Sequence, residues 1–151
     1  PVQWPYLRLP EVMLSYAEAI NEYNGGPDAT AYEQINAVRN RVGLPDLQAG
    51  LGQKEFREAL LRERALELGY EEVRWFDLVR WGRSEDFTKK LYGLQVTGVG
   101  GTTTNPVSYT FIRTELATRN WATYWDTKWY LAAFPQTEVD KDYGIVQNPG
   151  W

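Results

Sequence analysis

The run "QKEFREALLRERALELGYEEVRWFDLVRWG" (residues 53–82) constrains this chain more than any other stretch. At about 100° per residue, Phe56, Leu60, Glu63, Glu67, Glu71, Arg74 and Leu78 fall in one helical stripe. Leu61, Ala65, Leu68, Phe76 and Val79 form an apolar stripe beside it. The first stripe begins and ends apolar and is acidic in between. A charge on a buried line is tolerated only with a partner and satisfied hydrogen bonds. The pattern therefore predicts a partly buried carboxylate–arginine network. Glu63, Glu67, Glu71 and Asp77 would be neutralised by Arg74 and by Arg39 or Arg41 from a neighbouring helix, because the planar guanidinium fork suits carboxylates. Gly69 is placed to kink or split the segment.

Two shorter helices precede it. "PEVMLSYAEAINEY" (10–23) puts Val12, Tyr16, Ala19 and Tyr23 on one face, with Met13, Ala17 and Ile20 beside it. Pro10 suits its first turn and Glu11 its N-terminus. "NGGPD" breaks the pattern. A second helix over 29–42 buries Tyr32, Ile35, Val38 and Val42. Thr30 with Glu33 has capping-box spacing and Asp28 is the competing cap. Gly43 is positioned as a C-cap glycine. Two helices joined by a short turn form a helical hairpin, and each needs a partner surface.

After residue 82 the helical period is lost. "RSEDFTKKLYG" reads as a short helix, and the Gly- and Thr-rich stretch 94–111 as a long loop or small hairpin. Residues 112–135 concentrate Trp121, Tyr124, Trp125, Trp129 and Tyr130, and 136–151 read as an irregular tail. Trp75, Phe76 and Trp81 are expected in the core. Fold class is therefore all-α: a helical hairpin, a long helix and a loop-rich aromatic C-terminal part. The chain reads as one domain, helical over 6–82, loop-rich and variable over 83–130, and tail over 131–151.

Chemistry is bounded by what is missing. The chain has no Cys and no His, which removes Cys and Ser–His nucleophile systems and the usual zinc ligands. Net charge is −4 with no basic run, which argues against nucleic acid. No apolar run approaches membrane-spanning length. The carboxylates could be read as glycosidase machinery, but acids at i and i+4 on one helix are neighbours on a convex surface, whereas catalytic pairs flank a cleft. They are assigned to structure. No cofactor or metal is expected. Asp140 and Asp142 are too sparse for a cation site.

Aromatics make up 15% of the residues, and residues so costly to leave bare fill a core, line a binding surface, or both. Flat rings stack on the apolar faces of sugars while polar side chains take the hydroxyls. Trp121, Tyr124, Trp125 and Trp129 supply rings. On a helix, Trp121, Trp125 and Trp129 share one face, which would equally serve as core packing. Asn120, Arg119 and Asp126 supply polar edges, and Tyr109 is a further candidate beyond the Gly-Thr loop.

Four blocks carry a resemblance: "YLRLPEVMLSYAEAINE", "AYEQINAVRNRVGLP", "EFREALLRERALELGYEEVRWFDLVRWG" and "LAAFPQTEVDKDYGIVQNPGW". In this order they resemble the C-terminal region of the SusD/RagB family, over roughly two-thirds of the chain. The resemblance implies an all-α fold of tetratricopeptide-type helical pairs with a loop-rich part. It implies a surface lipoprotein of the bacterial outer membrane that binds glycans, or peptides in some branches, without cleaving them. Its implied partner is a SusC-like TonB-dependent transporter. Membrane association would run through a lipid anchor on an N-terminal part, and the opening "PVQWPYLRLPEV" resembles the middle of a longer protein. The "QNPGW" end resembles a natural C-terminus. Where the family has Glu-Gly before Arg-Trp, this chain has Glu71-Glu72-Val73, which favours a continuous helix. No binding residue carries over by motif. The leading expectation is glycan capture. The alternative is a helical protein- or peptide-binding module, and a carboxylate-driven glycosidase is a third, weaker reading.

Overall fold

The computed structural model describes residues 6–116 and 124–151. The chain divides into two compact units, Pro1–Asp77 and Leu78–Trp151.

The first unit is built from helices α1 (Leu9–Asn24), α2 (Ala29–Arg41) and α3 (Gln53–Glu67), and from the start of α4 (Val73–Arg80). Each start has a local cause. Pro10 occupies the first turn of α1. Asp28 caps α2 by accepting from the Ala31 amide at 2.9 Å, so it displaces the Thr30 alternative. Glu55 folds back to the Gly52 amide at 2.9 Å to open α3. Leu14, Ala17, Ala31, Ile35, Val38, Phe56 and Leu60 form the core, and Met13, Ile20, Tyr32, Leu47 and Leu51 flank it. Tyr32 meets Phe56 edge-on at 5.1 Å and accepts the Leu51 amide through its hydroxyl.

Two expectations are corrected in this unit. The first concerns α1, which buries Leu14, Ala17 and Asn21, the side nearly opposite the predicted stripe. Val12, Tyr16 and Tyr23 are exposed, Tyr23 at 92%. Small Ala17 and Ala31, both fully buried, let α1 and α2 approach in a way the tyrosine face would not allow. Val42 likewise lies outside the core, past the end of α2.

The second concerns the run 53–82, which is not one helix. It stops at Glu67 and restarts at Val73. Gly69 does not itself take the left-handed conformation; Tyr70 (φ 65°) and Glu72 (φ 62°) do. The Leu68 amide closes the last α3 turn on Arg64, and the Arg8 guanidinium takes the Glu67 carbonyl at 2.8 Å. An open helix-end carbonyl thus finds a donor. Restarting the helix changes which side faces inward. Asp77 and Leu78 are buried, whereas Trp75 and Phe76, expected in the core, are 43% and 65% exposed. Trp81 is half-buried.

The second unit is not purely helical, which corrects the all-α expectation. The short helix α5 (Ser84–Phe87) leads into an antiparallel hairpin, β1 (Tyr92–Val99) and β2 (Ser108–Glu115). Its register runs from Tyr92 opposite Glu115 to Val99 opposite Ser108. Strand-forming residues alternate in both arms, and the Gly-Thr tip closes the turn. Gly101 is required at that tip: a Cβ there would sit 2.5 Å from the Asn105 carbonyl. Tyr92, Leu94, Val96, Tyr109, Phe111 and Arg113 share one hairpin face by alternation, and the Arg113 guanidinium lies 3.8 Å over the Tyr92 ring. A 3-10 turn (Thr127–Tyr130) and the short helix α6 (Gln136–Val139) complete the unit.

Candidate functional site

Two constellations were singled out in the sequence, one polar and one aromatic. The polar one lies in the first unit. Glu63, 5% exposed, pairs with Arg39 at 2.6 Å, and Arg39 also donates to the Pro45 carbonyl. Glu67 receives Arg8 at 2.9 Å and Arg41 at 2.7 Å. Glu71 is gripped by Arg8 through both Nε and Nη2. The hydrogen bonds to Glu71 and then to Glu67 hold the Arg8 guanidinium charged well above its usual range. Asp77 pairs with Arg64 at 2.8 Å, with the two side chains 3% and 4% exposed, and Arg64 also reaches Ser15 Oγ at 3.0 Å.

Glu63 and Glu67 pair with Arg39 and Arg41, the neighbouring-helix arginines named for this network, whereas Glu71 pairs with Arg8 and Asp77 with Arg64, neither of which was named. Arg74 comes within 3.5 Å of the Leu61 carbonyl and joins none of these carboxylates. The break at 68–72 takes α4 off the α3 stripe, and Arg8 fills the vacated role. Arg64 and Arg8 were missed. Arg64 had a legible signal, since it lies three or four residues from Leu60, Leu61 and Leu68 and so on the buried face. Arg8 precedes its helix and gave none. A further cluster, also unforeseen, joins Arg57 to Glu22, with Asn21 and Gln53 attached. The Arg57 hydrogen bond holds the Glu22 carboxyl below the usual carboxylate range, against the opposing effect of burial.

The aromatic constellation lies in the second unit. Trp125 and Trp129 are not turns of one α-helix. Tyr124 is in a turn, Asp126 caps the 3-10 turn by accepting the Lys128 amide at 2.9 Å, and Trp129 sits inside that turn. The rings still converge. Phe87 stacks on Trp125 at 3.9 Å and 9°. Trp129 and Tyr130 meet Trp125 edge-on at 6.1 and 5.2 Å. One face of the Trp125 ring is thus already covered, and its other ring contacts are internal. Tyr124, at the border of this cluster, is 73% exposed. Tyr109 is on β2, 56% exposed, and takes no part in these ring contacts. Asn120 and Trp121, with Arg119, lie outside the described residues. Among the described candidate residues, the rings left exposed for stacking are Tyr124 and Tyr109, and Phe111 is exposed on the same hairpin face as Tyr109.

The tail after α6 has specific contacts the sequence did not announce. Gln147, Asn148 and Trp151 all hydrogen-bond to backbone between Lys128 and Phe134. Phe87, the stacking partner of Trp125, was also unforeseen.

Comparison with known proteins gives these features a setting. The family model described as the SusD family matches residues 2–151. SusD-like protein P25 of Formosa agariphila is 42% identical over 87 residues, covering 56% of this chain and 16% of that protein. SusD-like protein P2 of the same organism is 36% identical over 81 residues, covering 49% and 16%. Among solved structures, a SusD-like protein from Bacteroides fragilis matches with a TM-score of 0.78 at 30% identity, over 98% of this chain and 26% of that one. A SusD homolog from Bacteroides thetaiotaomicron matches with a TM-score of 0.70 at 34% identity, over 98% and 27%. The chain thus spans about a quarter of the length of those solved relatives, and its matched stretch about a sixth of the curated ones.

Proposed function

This chain belongs to the SusD family, and from that premise we propose that it is part of a non-catalytic protein that captures glycans at the bacterial cell surface. The family match across residues 2–151 carries the reading. Two features of the site support it. Tyr124 and Tyr109 present exposed rings of the kind sugars stack on. The carboxylates that a glycosidase would need are instead occupied: Glu63, Glu67, Glu71 and Asp77 each pair with an arginine. In the full-length protein the captured glycan passes to a SusC-like TonB-dependent transporter. The protein is held at the outer membrane by a lipid anchor, and α1 and α2 form one tetratricopeptide-type pair of a longer helical array.

Calorimetric titration with cellohexaose, laminarihexaose and mannohexaose tests the reading. Heat of binding is expected with at least one. Tyr124→Ala or Tyr109→Ala lowers that affinity about tenfold, the worth of one ring stack, with circular dichroism unchanged. Trp125→Ala is the wrong probe, because it dismantles an internal cluster. Silence with all three glycans overturns the reading.

One observation favours a second reading as a helical interaction module. Leu9, Val12, Tyr16 and Tyr23 leave an apolar stripe of α1 exposed. Co-purification with a transporter, together with no response to glycans, would select it.

A further inference from the structure

The last five residues, "QNPGW", make a set of contacts with one property in common. Gln147 Oε1 accepts the Phe134 amide at 2.9 Å, and Gln147 Nε2 donates to the Phe134 carbonyl at 2.9 Å. One side-chain amide thus satisfies both polar groups of one backbone residue, as a neighbouring strand would. The same Oε1 accepts the Asn148 amide at 2.9 Å, which fixes the Gln147 rotamer from its own side. Asn148 Nδ2 donates to the Ala132 carbonyl at 2.6 Å. Trp151 Nε1 lies 3.0 Å from the Leu131 carbonyl and 3.2 Å from the Lys128 carbonyl, and Lys128 Nζ sits 4.5 Å over the Trp151 ring. Gly150 takes a φ of +86°, and a Cβ there would stand 2.9 Å from Lys128 Cβ. Only glycine lets the tail lie this close.

All of these bonds across to the facing segment end on backbone atoms, and all the acceptors and donors lie between Lys128 and Phe134. That segment has almost no regular structure of its own beyond the 3-10 turn, so its polar backbone must be satisfied from outside. It contains Trp129 and Tyr130, whose rings converge on Trp125, and it lies shortly after exposed Tyr124.

We propose that Gln147, Asn148 and Trp151 are positioning residues: an intramolecular clasp that reads the Lys128–Phe134 backbone and thereby sets the Trp125–Tyr130 cluster and the Tyr124 ring for ligand contact. The ligand half of this proposal rests on the glycan reading above; the clasp half does not. Apart from Lys128, whose ammonium lies over the Trp151 ring, the contacted segment can vary in side chain without disturbing the clasp, because the tail's hydrogen bonds there end on main chain. The tail tolerates far less. Asparagine in place of Gln147 is one methylene short of spanning Phe134, and any residue but glycine at 150 meets Lys128.

The test uses the intact chain with Gln147→Ala, Gln147→Glu and Trp151→Phe. Hydrogen exchange at the Phe134 amide is expected to accelerate about tenfold in Gln147→Ala, the worth of one lost hydrogen bond. Gln147→Glu keeps the acceptor but sets a carboxylate oxygen against the Phe134 carbonyl in place of the donor, so it retains only part of the Phe134 amide protection. Trp151→Phe keeps the ring and loses the N–H. Exchange across β1, β2 and α1–α3 stays unchanged in all three. Unchanged exchange at Phe134 in Gln147→Ala overturns the clasp, whatever any glycan does. Glycan affinity is then read at 10 °C, where all variants are folded, with whichever of the three hexasaccharides binds the wild-type chain. Gln147→Ala is expected to weaken it at least fivefold and Gln147→Glu less. A lowered Tm with unchanged affinity at 10 °C overturns the positioning role and leaves a purely structural tail. If no hexasaccharide binds the wild-type chain, the glycan reading fails, and with it the ligand half, while exchange at Phe134 still decides the clasp.

Discussion

Asp77→Ala is the sharpest test of how the first unit holds together. Asp77 and Arg64 are 3% and 4% exposed at the side chain and bond at 2.8 Å. Arg64 is on α3, Asp77 on α4, and Ser15, the other Arg64 acceptor, on α1. The pair therefore ties α4 to α3 across the break at 68–72 and ties both to α1. Removing the carboxylate strands a guanidinium in a region too dry to hydrate it. Loss of one partner of a buried pair costs about 3–5 kcal/mol. Ser15 retains one hydrogen bond to Arg64, which places the expectation near the lower end, about 3 kcal/mol. A domain of this size is stable by about 5–15 kcal/mol, so at least a fifth of the total goes. Urea unfolding followed by circular dichroism should show a midpoint lowered by roughly 1–3 M, given slopes of about 1–3 kcal/mol/M. The double variant Arg64→Met/Asp77→Leu removes both charges and fills the volume, so it should recover most of the loss. The reasoning is refuted if Asp77→Ala costs less than about 1 kcal/mol, or if the double variant loses the sum of the two single changes.

Two other outcomes follow from the same unit. Glu72→Gly removes a side chain from a left-handed backbone position (φ 62°). The relief is about 1–2 kcal/mol against a glycine entropy cost of about 0.5–1, so Tm should rise by about 2 °C, and a fall in calorimetric Tm would contradict the strain assignment. Glu22, held below its ordinary pKa of 4.5 first by the Arg57 hydrogen bond, contributes stability that is present above that value and lost as pH falls through and below it. The Tm gap between wild type and Arg57→Gln should therefore narrow between about pH 6 and pH 3, and a gap that stays constant over that range would sink the linkage.

Much of the architecture was legible because periodicity is a local property. The spacing of Ile35, Val38, Phe56 and Leu60 places them on helix faces whatever those faces meet, and all four are core. Gly43 could be read for the same reason, since caps and turns are settled within a few residues, while Asp28 stood only as the alternative to Thr30 and the hairpin only as the alternative to a long loop. The buried acids Glu63 and Glu67 were legible because an acid interrupting an apolar line must be paired. Their partners were legible in part: Arg39 and Arg41 come from the neighbouring helix as expected, whereas Arg8 reaches Glu71 across 63 positions. Arg74, nearer in sequence to Glu71, faces elsewhere.

The sequence by itself determined where helices α1, α2 and α3 begin, which acids need neutralising and where the aromatic rings concentrate, because each depends on neighbours a few positions away. Tertiary structure alone decided the rest. It turned α1 to bury Ala17 and Asn21 in place of Tyr16 and Tyr23, since close helix packing selects the small face over the more apolar one. It broke the long helix at 68–72, where long-range bonds from Arg8 to Glu67 and Glu71 hold a conformation that local propensity disfavours. It also committed Trp125 to Phe87 and left Tyr124 in solvent, because a ring can stack on an external ligand only where the folded chain has not already covered its face.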